Sequence, residues 1–324
     1  MPPERDTGVC WDMLSPMRAL RGPLSASWRH LLPVGALLFG LARPASVSAQ
    51  PRPVMACQFT PVQVTPETAV AGTLIRLSWP RQAIPDTAAQ ATLAGERLHL
   101  RRVGDSVVAL AAVPIDSSQG ITLFLACQGG GGAMLQDSLR LRTNAGTYRL
   151  ERLKVAPRFG AKPDSALAAR QAAEAARAAA VSRAAHQTPR LFDGAFRAPR
   201  PSRITSGFGS GRQFNGTVTS RHMGTDYAGA TGAPVYAANR GVVRLVDHFY
   251  LGGNVVYVDH GEGLVTAYLH LSRARVAEGD TVARGQRIGD VGATGRVTGP
   301  HLHFIARFGQ ITVDPKSLIG RGAR

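Results

Sequence analysis

The chain has 324 residues, of which 44% are hydrophobic and 18% charged, a composition typical of globular proteins and not of disordered chains. At roughly 100–200 residues per domain, this length predicts two domains. The net charge of +17 is carried almost wholly by arginine. The arginines are spread along the chain instead of clustering with aromatic residues, so we expect no nucleic-acid partner; a basic surface would favour an anionic polymer.

Residues 1–49 are predicted to be a signal peptide. From Met17, a candidate start residue, arginines precede the apolar run Leu31–Ala42, and the small-residue sequence VSA follows it. This is the order of a secretory signal, and the run is shorter than the roughly 20 residues that span a bilayer. We therefore expect export to the periplasm or cell envelope, with no stable membrane span after cleavage. The alternative is a buried helix of a cytosolic protein.

Two cysteines, Cys57 and Cys127, remain after the predicted cleavage. In an oxidising compartment they suggest a single disulfide, and neither has the C-x-x-C spacing of a structural zinc site. The sequence VMAC, ending at Cys57, faintly resembles a lipoprotein cleavage site, but Arg52 and two prolines stand where an apolar run should precede it.

Residues 52–157 are predicted to form a β-sandwich module. Apolar stretches such as TLIRLSW, SVVALAAVPI and ITLFLAC are separated by Gly, Pro, Asn and Asp. Turn residues at a spacing of about 8–12 residues are typical of an all-β sandwich or barrel. No histidine pair, carboxylate pair or glycine-rich loop stands out, so the sequence does not indicate what this module binds.

Residues 163–190 are predicted to be a helical linker. SALAARQAAEAARAAAVSRAAHQ is dominated by alanine, the strongest helix former, and Asp164 or Ser165 can cap its start. The segment lacks large apolar residues at helical spacing, so we expect a solvated helix between two domains.

Residues 199–318 are predicted to form an antiparallel β-sheet domain without a helix. Apolar runs such as APVYAANRGVVRLVDHF and GGNVVYVDHGEG are bounded by Gly, Asn or Asp, which is typical of strands. The chain is therefore predicted to be mainly β, with an N-terminal β-sandwich, an alanine-rich linker helix and a C-terminal sheet domain.

Two short motifs in this domain suggest a metal site. RHMGTD places His222 and Asp226 four residues apart with Gly224 between them, and HLHF places His301 and His303 two apart. Side chains at i, i+2 and i+4 of a strand share one face, so we expect each pair to project together, with the glycine leaving room for a molecule to approach. Either motif alone arises by chance; their joint occurrence in one glycine-rich domain argues against accident.

A third strand-like run, AYLHLS, offers His270, with Tyr268 on the same face. Zinc accepts imidazole and carboxylate ligands, and a catalytic site uses three protein ligands plus water. Two histidines and one aspartate from neighbouring strands would complete such a set. The remaining histidines could polarise water or stabilise developing charge.

The other histidines carry no such signal. His248 and His260 lie at predicted strand ends and are interpreted as turn or surface residues. His99 and His186 have no partner that the sequence identifies.

Three stretches together resemble the lysostaphin/LytM-type zinc metallopeptidases that cut peptidoglycan cross-bridges. They are HMGTDYAGATGAPVYAANRGVV, GNVVYVDHGEGLVTAYLHLS and VAEGDTVARGQRIGDVGATGRVTGPHLHF. The likeness runs from about Pro199 to Pro315. More loosely, AAVPIDSSQGITLFL resembles the immunoglobulin-like module that some members carry before the peptidase.

The resemblance implies a role for each matched position. His222, Asp226 and His303 would be the ligands of one Zn²⁺ per chain, and His270 and His301 would be the catalytic histidines. Every motif position is present, whereas degenerate members of the family lack ligands. No glutamate stands in an H-E-x-x-H arrangement, so a thermolysin-like general base is not expected.

Three interpretations stay open: an active endopeptidase, an inactive wall-binding module or activator of cell-wall amidases, and a basic exported protein that binds an anionic polymer and holds zinc structurally. The first is favoured, because a structural zinc site normally has four protein ligands. Its substrate would be the stem-peptide cross-links of peptidoglycan. The lack of a wall-binding repeat and the periplasmic-type signal favour the direct cross-link over a glycyl bridge. Thr294 and Thr298, in the predicted groove wall GATGRVTGP, are candidate substrate contacts, with a structural role equally open. Protein partners are not indicated.

Overall fold

The structure is a computed structural model that describes residues 60–84, 89–128, 134–160, 163–214, 216 and 218–320. The described residues all belong to the compact unit Pro51–Arg324. The predicted signal peptide and Cys57 lie outside them. Within these ranges, no helix is both long and apolar enough to cross a membrane.

The N-terminal part is built from short strands, most of which pair in antiparallel fashion. Its elements are β1 (Gln63–Thr65), β2 (Ala69–Val70), β3 (Leu74–Pro80), β4 (Gln90–Leu93), β5 (Glu96–Leu98), β6 (Arg101–Val103), β7 (Ser106–Ala112), β8 (Ile121–Gln128), β9 (Met134–Leu141), β10 (Thr143–Asn144) and β11 (Leu150–Leu153). One four-stranded sheet has the order β1-β3-β7-β6, a second has the order β5-β4-β8-β9, and β10 pairs with β2. The predicted β architecture of this part is confirmed; its immunoglobulin-like character stays a prediction.

Strand β8 illustrates why these residues form a sheet with one buried face. Its residues alternate between buried and more exposed positions, as the two-residue period of a strand requires. Ile121, Leu123 and Leu125 face the core together with Cys127. Cys127 is disulfide-bonded, and Cys57, its expected partner, lies outside the described residues.

The linker contains helices α1 (Pro157–Gly160) and α2 (Ser165–Ala184). The Asp164 carboxylate caps α2 by accepting a hydrogen bond from the Leu167 N–H at 2.8 Å, as the sequence predicts. Most of α2 is exposed, as expected for a solvated helix, but the helix also has a narrow buried face that includes Glu174 and Ala178. Small alanine side chains let the helix lie directly on the sheet, where Ala178 packs in one apolar cluster with Phe249 and other strand residues.

The C-terminal part contains the larger sheet. Its elements are β12 (Ile204–Ser206), β13 (Gly211–Phe214), β14 (Val218–Arg221), β15 (Thr225–Ala228), β16 (Pro234–Tyr236), β17 (Gly241–Phe249), β18 (Gly253–Gly261), β19 (Leu264–Ala274), β20 (Thr281–Val282), β21 (Arg287–Val291), β22 (His301–Phe308), β23 (Ile311–Val313) and α3 (Pro315–Leu318). The main sheet has the order β12-β15-β22-β19-β18-β17-β20, with β16, β21 and β23 paired beside this path. The predicted antiparallel sheet is confirmed.

The short helix α3 corrects the prediction that this region has no helix. The Asp314 carboxylate accepts a hydrogen bond from the Lys316 N–H at 3.0 Å, and Pro315 occupies the first helical turn. An N-cap aspartate followed by proline is a strong local start signal, but a single turn is too short to show an apolar period.

A separate three-stranded sheet joins the two parts of the chain. Strand β11, at the end of the predicted N-terminal module, pairs in parallel with β13, and Glu151 lies opposite Arg212. Strand β14 completes this sheet. Glu151 is thereby brought next to the residues that frame the histidine motifs.

Candidate metal centre and active site

Asp226 and His303 meet across the main sheet. They are direct cross-strand partners in the antiparallel pair β15–β22, a position at which side chains on one face lie close together. The distance from His303 Nδ1 to Asp226 Oδ1 is 2.7 Å. The register of these two strands therefore brings residues of the two sequence motifs into contact.

His222 also contacts Asp226, but not through the strand alternation that the sequence predicts. It lies between β14 and β15, so strand alternation does not align it with Asp226. Its backbone N–H donates to the Ser210 carbonyl at 2.7 Å. The bend that follows carries the imidazole to Asp226, with Nε2 3.0 Å from Oδ1 and 2.9 Å from His303 Nδ1.

These three buried side chains form the one cluster of potential metal ligands in the described residues. Two nitrogens and one carboxylate oxygen converge at 2.7–3.0 Å. Zinc binds such donors at about 2.0–2.2 Å with tetrahedral geometry, which would separate the ligand atoms only slightly further. The donor set and its convergence therefore fit a zinc ion.

Backbone contacts fix which atoms of the ligands face the centre. His222 Nδ1 lies 2.8 Å from the Gly207 carbonyl oxygen, which can only accept, so Nδ1 carries the proton and Nε2 is free to bind a metal. Gly224 is predicted from the sequence to leave room for an approaching molecule. In the structure it instead allows the His303 ring to pack closely against the backbone. A Cβ at this position would lie 2.6 Å from His303 Cε1 and 2.7 Å from the Phe304 carbonyl oxygen.

A polar network that the sequence does not reveal holds the Asp226 carboxylate. Arg212 Nη2 donates to Asp226 Oδ2 at 2.6 Å, and Arg212 Nε donates to Glu151 at 3.2 Å. Ser206 Oγ donates to the same glutamate at 2.8 Å. The second oxygen of Asp226 is thereby oriented, while the first faces the two imidazoles.

Burial and hydrogen bonding set the charges at the centre. Burial alone would raise the pKa of Asp226, but its contacts with the imidazoles of His222 and His303 outweigh this effect and hold the pKa below its usual range. Burial lowers the pKa of His303 to about 4. It also lowers the pKa of His270, an effect that the neighbouring histidines increase. A carboxylate beside neutral imidazoles is the state that metal binding requires.

His270 and His301 lie beside the cluster of His222, Asp226 and His303. The ring centroid of His270 is 4.9 Å from that of His301 and 5.8 Å from that of His303. His270 adopts φ +63°, an unusual conformation for a non-glycine residue. It lies where the register of β19 against β18 shifts, so Tyr268 packs in the core instead of sharing its face.

Both of these histidines are held in one tautomer by carbonyl oxygens. His270 Nδ1 donates to the Thr294 carbonyl at 2.9 Å, and His301 Nδ1 donates to the Gly299 carbonyl at 2.9 Å. Their Nε2 atoms therefore carry a lone pair in the neutral state. The His301 Nε2 lies 3.7 Å from Asp226 Oδ1.

Two cavities border the cluster. One of about 600 Å³ is lined by Asp226 and His301 together with the 296–300 segment and strand β11. A smaller one of about 190 Å³ is lined by His222, His270 and His303. Arg212 and Arg296 line both. The predicted groove wall is therefore present, with Thr298 at its surface; Thr294 Oγ1 instead accepts from the Asn254 N–H at 3.0 Å.

The remaining histidines have structural contacts. The interpretation of His260 as a turn or surface residue is wrong: it is fully buried and bonded to Thr266 Oγ1 at 2.8 Å. His248 is exposed, as expected. His99 Nε2 lies 3.0 Å from His186 Nδ1, so these two residues are partners of each other.

Comparisons with known proteins agree with this geometry. Residues 220–315 match the model of Peptidase family M23. Over 105 residues the chain is 49% identical to peptidoglycan DD-endopeptidase ShyA of Vibrio cholerae, which covers 32% of this chain and 24% of that protein. Over 97 residues it is 44% identical to peptidoglycan DD-endopeptidase ShyC of the same organism, covering 30% and 22%. The chain thus spans about a quarter of the length of these curated relatives.

One solved structure is similar over a longer region. It is a Pseudomonas aeruginosa protein provisionally described as a peptidase M23, with 25% identity and a TM-score of 0.59. The likeness covers 78% of this chain and 94% of that one. It therefore extends beyond the matched family region to elements that precede it.

Proposed function

We propose that this chain, whose residues 220–315 form a Peptidase family M23 domain, is a zinc-dependent endopeptidase that hydrolyses peptide cross-links of peptidoglycan. The observation that carries the proposal is the convergence of His222, Asp226 and His303 beside the two oriented imidazoles of His270 and His301. Three ligands with further polar groups alongside suit a catalytic site better than a structural one.

His222 Nε2, Asp226 Oδ1 and His303 Nδ1 would hold the metal. When bound, zinc supplies Lewis-acid polarisation of the scissile carbonyl and acidifies water. Arg212 keeps the second oxygen of Asp226 directed away from the two imidazoles, so the first oxygen remains available as a ligand.

His270 and His301 would accept and donate protons during the reaction. Because each Nδ1 proton is already donated to a backbone carbonyl, each neutral Nε2 can accept a proton from the attacking water. Once protonated, the same atom can donate to developing negative charge or to the departing amine. The two backbone acceptors hold both rings in the tautomer that leaves Nε2 free.

The direct cross-link between D-amino acids is the proposed substrate. The DD-endopeptidase names of the relatives in Vibrio cholerae support this choice. Because peptidoglycan lies outside the cytoplasm, we also propose export to the periplasm or cell envelope. The disulfide at Cys127 supports an oxidising compartment.

The test is digestion of purified peptidoglycan, followed by release of soluble muropeptides with and without a chelator. We expect His303→Ala to lose both zinc and activity, and His301→Ala to retain zinc while losing cleavage. Zinc retention by the wild-type protein without any cleavage contradicts the proposal. Equal loss of zinc in both variants contradicts the separation of roles.

A further inference from the structure

Arg296 presents an uncompensated cation at the candidate active site. It belongs to the loop between β21 and β22, and its backbone N–H donates to the Leu251 carbonyl at 2.9 Å. The side chain is half-buried and lines both cavities beside the metal ligands. Among the described residues, no oxygen accepts a hydrogen bond from its guanidinium and no carboxylate pairs with it.

The neighbouring arginines differ from it. Arg212 is compensated by Asp226 at 2.6 Å and Glu151 at 3.2 Å. Arg152 and Arg203, which line the larger cavity, are exposed and so retain water around their charge. Arg296 is the member of this group that is withdrawn from water without an internal counter-charge.

Packing fixes the orientation of this guanidinium. Its Cζ atom lies 4.0 Å from the centroid of the Phe214 ring, and stacking of this kind leaves the edge donors of the planar group open. Burial, and then the positive charge of Arg212, lower the pKa of Arg296. A charge in this environment is stabilised by an opposite charge with bidentate geometry, which a carboxylate supplies.

We propose that Arg296 binds a carboxylate of the substrate, namely the one on the carbon attached to the scissile nitrogen. The inference rests on the proposed function and makes it more specific. In a direct cross-link between two D-amino acid centres, the carbon attached to the scissile nitrogen can also bear a free carboxylate. A glycyl bridge has a neutral amide there. Arg296 would thus select the direct cross-link.

The test compares two matched peptides on the zinc-loaded full chain. Both contain acyl-D-Ala linked to a second D-residue, which ends in a free carboxylate in one peptide and in a carboxamide in the other. The wild-type protein should prefer the carboxylate in kcat/KM. Arg296→Met should lower kcat/KM for that peptide by roughly 10- to 100-fold and leave the carboxamide nearly unchanged. Arg296→Lys keeps the positive charge but not the planar pair of donors, so its kcat/KM for the carboxylate peptide should be intermediate.

Arg158→Met is the control, because Arg158 also lies over a phenylalanine ring, 4.7 Å from the Phe159 centroid, but lines neither cavity. It should keep the wild-type preference. Equal loss on both peptides in Arg296→Met, or no preference in the wild-type protein, overturns the inference; the wild-type comparison decides even if the variant does not fold. A protein that cleaves neither peptide nor purified peptidoglycan overturns the proposed function as well.

Discussion

The buried carboxylate of Glu174, in helix α2, connects the linker to the loop that supports the candidate active site. Both of its oxygens accept the Tyr250 backbone N–H, at 3.0 and 2.9 Å, and Arg170 pairs with it at 2.8 Å. The next two residues, Leu251 and Gly252, accept hydrogen bonds from the backbone N–H groups of Arg296 and His270. We predict that Glu174→Ala releases this loop.

The expected effect on stability follows from the contacts that are lost. A hydrogen bond to a charged group contributes about 1.5–3 kcal/mol, which corresponds to a fall in Tm of roughly 3–5 °C for a compact unit of this size. Glu174→Gln keeps one acceptor oxygen and should show about half of the loss. Since the loop supports His270, kcat should also fall, by about 10-fold or more, as small displacements of catalytic groups are expensive.

The assay is denaturant unfolding together with kcat at matched zinc content. Arg170→Ala is the comparison variant: it removes the half-exposed partner of the same carboxylate and its contact with the Tyr250 ring, but leaves both carboxylate oxygens to accept the Tyr250 N–H, so it should destabilise less than Glu174→Ala. Unchanged stability in Glu174→Ala refutes the prediction that Glu174 holds this loop in place. Reduced stability with an unchanged kcat refutes its connection to the active site.

Three further predictions concern the metal centre and the core. Gly224→Ala should lower zinc affinity at least about 10-fold, because the new Cβ meets the His303 ring at 2.6 Å; a competition titration that gives the wild-type affinity would contradict this. Arg212→Met should lower zinc affinity by about 10- to 100-fold, since it releases Asp226 Oδ2, and an unchanged affinity would show that the arginine does not position the ligand. Burial lowers the pKa of His260 from 6.5 to about 4, so the unfolded chain binds more protons between these values and stability should fall by up to about 3 kcal/mol as the pH drops through that window. His260→Gln should flatten this dependence in unfolding curves measured from pH 7 to 4.5, and equal slopes would refute it.

Sequence reasoning works well where chemistry is local and fails where it depends on distant pairing. The motif pattern identifies His222, Asp226 and His303, and the structure brings these three together. The reason given for His222 is nevertheless wrong, because a bend between two sheets replaces the expected strand alternation. Likewise, His260 does lie at the end of a strand, but Thr266 and the Arg240 carbonyl satisfy its ring nitrogens inside the core instead of at the surface.

The contacts that support the centre come largely from outside the region that matches the family. Glu151 reaches Arg212 only because β11 pairs with β13, and Glu174 reaches the loop before β18 only because an alanine-rich helix can lie close to the sheet. Neither position has a neighbour in sequence that would indicate its partner. The motif therefore specifies the candidate ligand atoms, while the N-terminal strand and the linker helix contact the residues and the loop that surround them. The helix is better regarded as part of the framework of the C-terminal sheet than as a spacer between two independent domains.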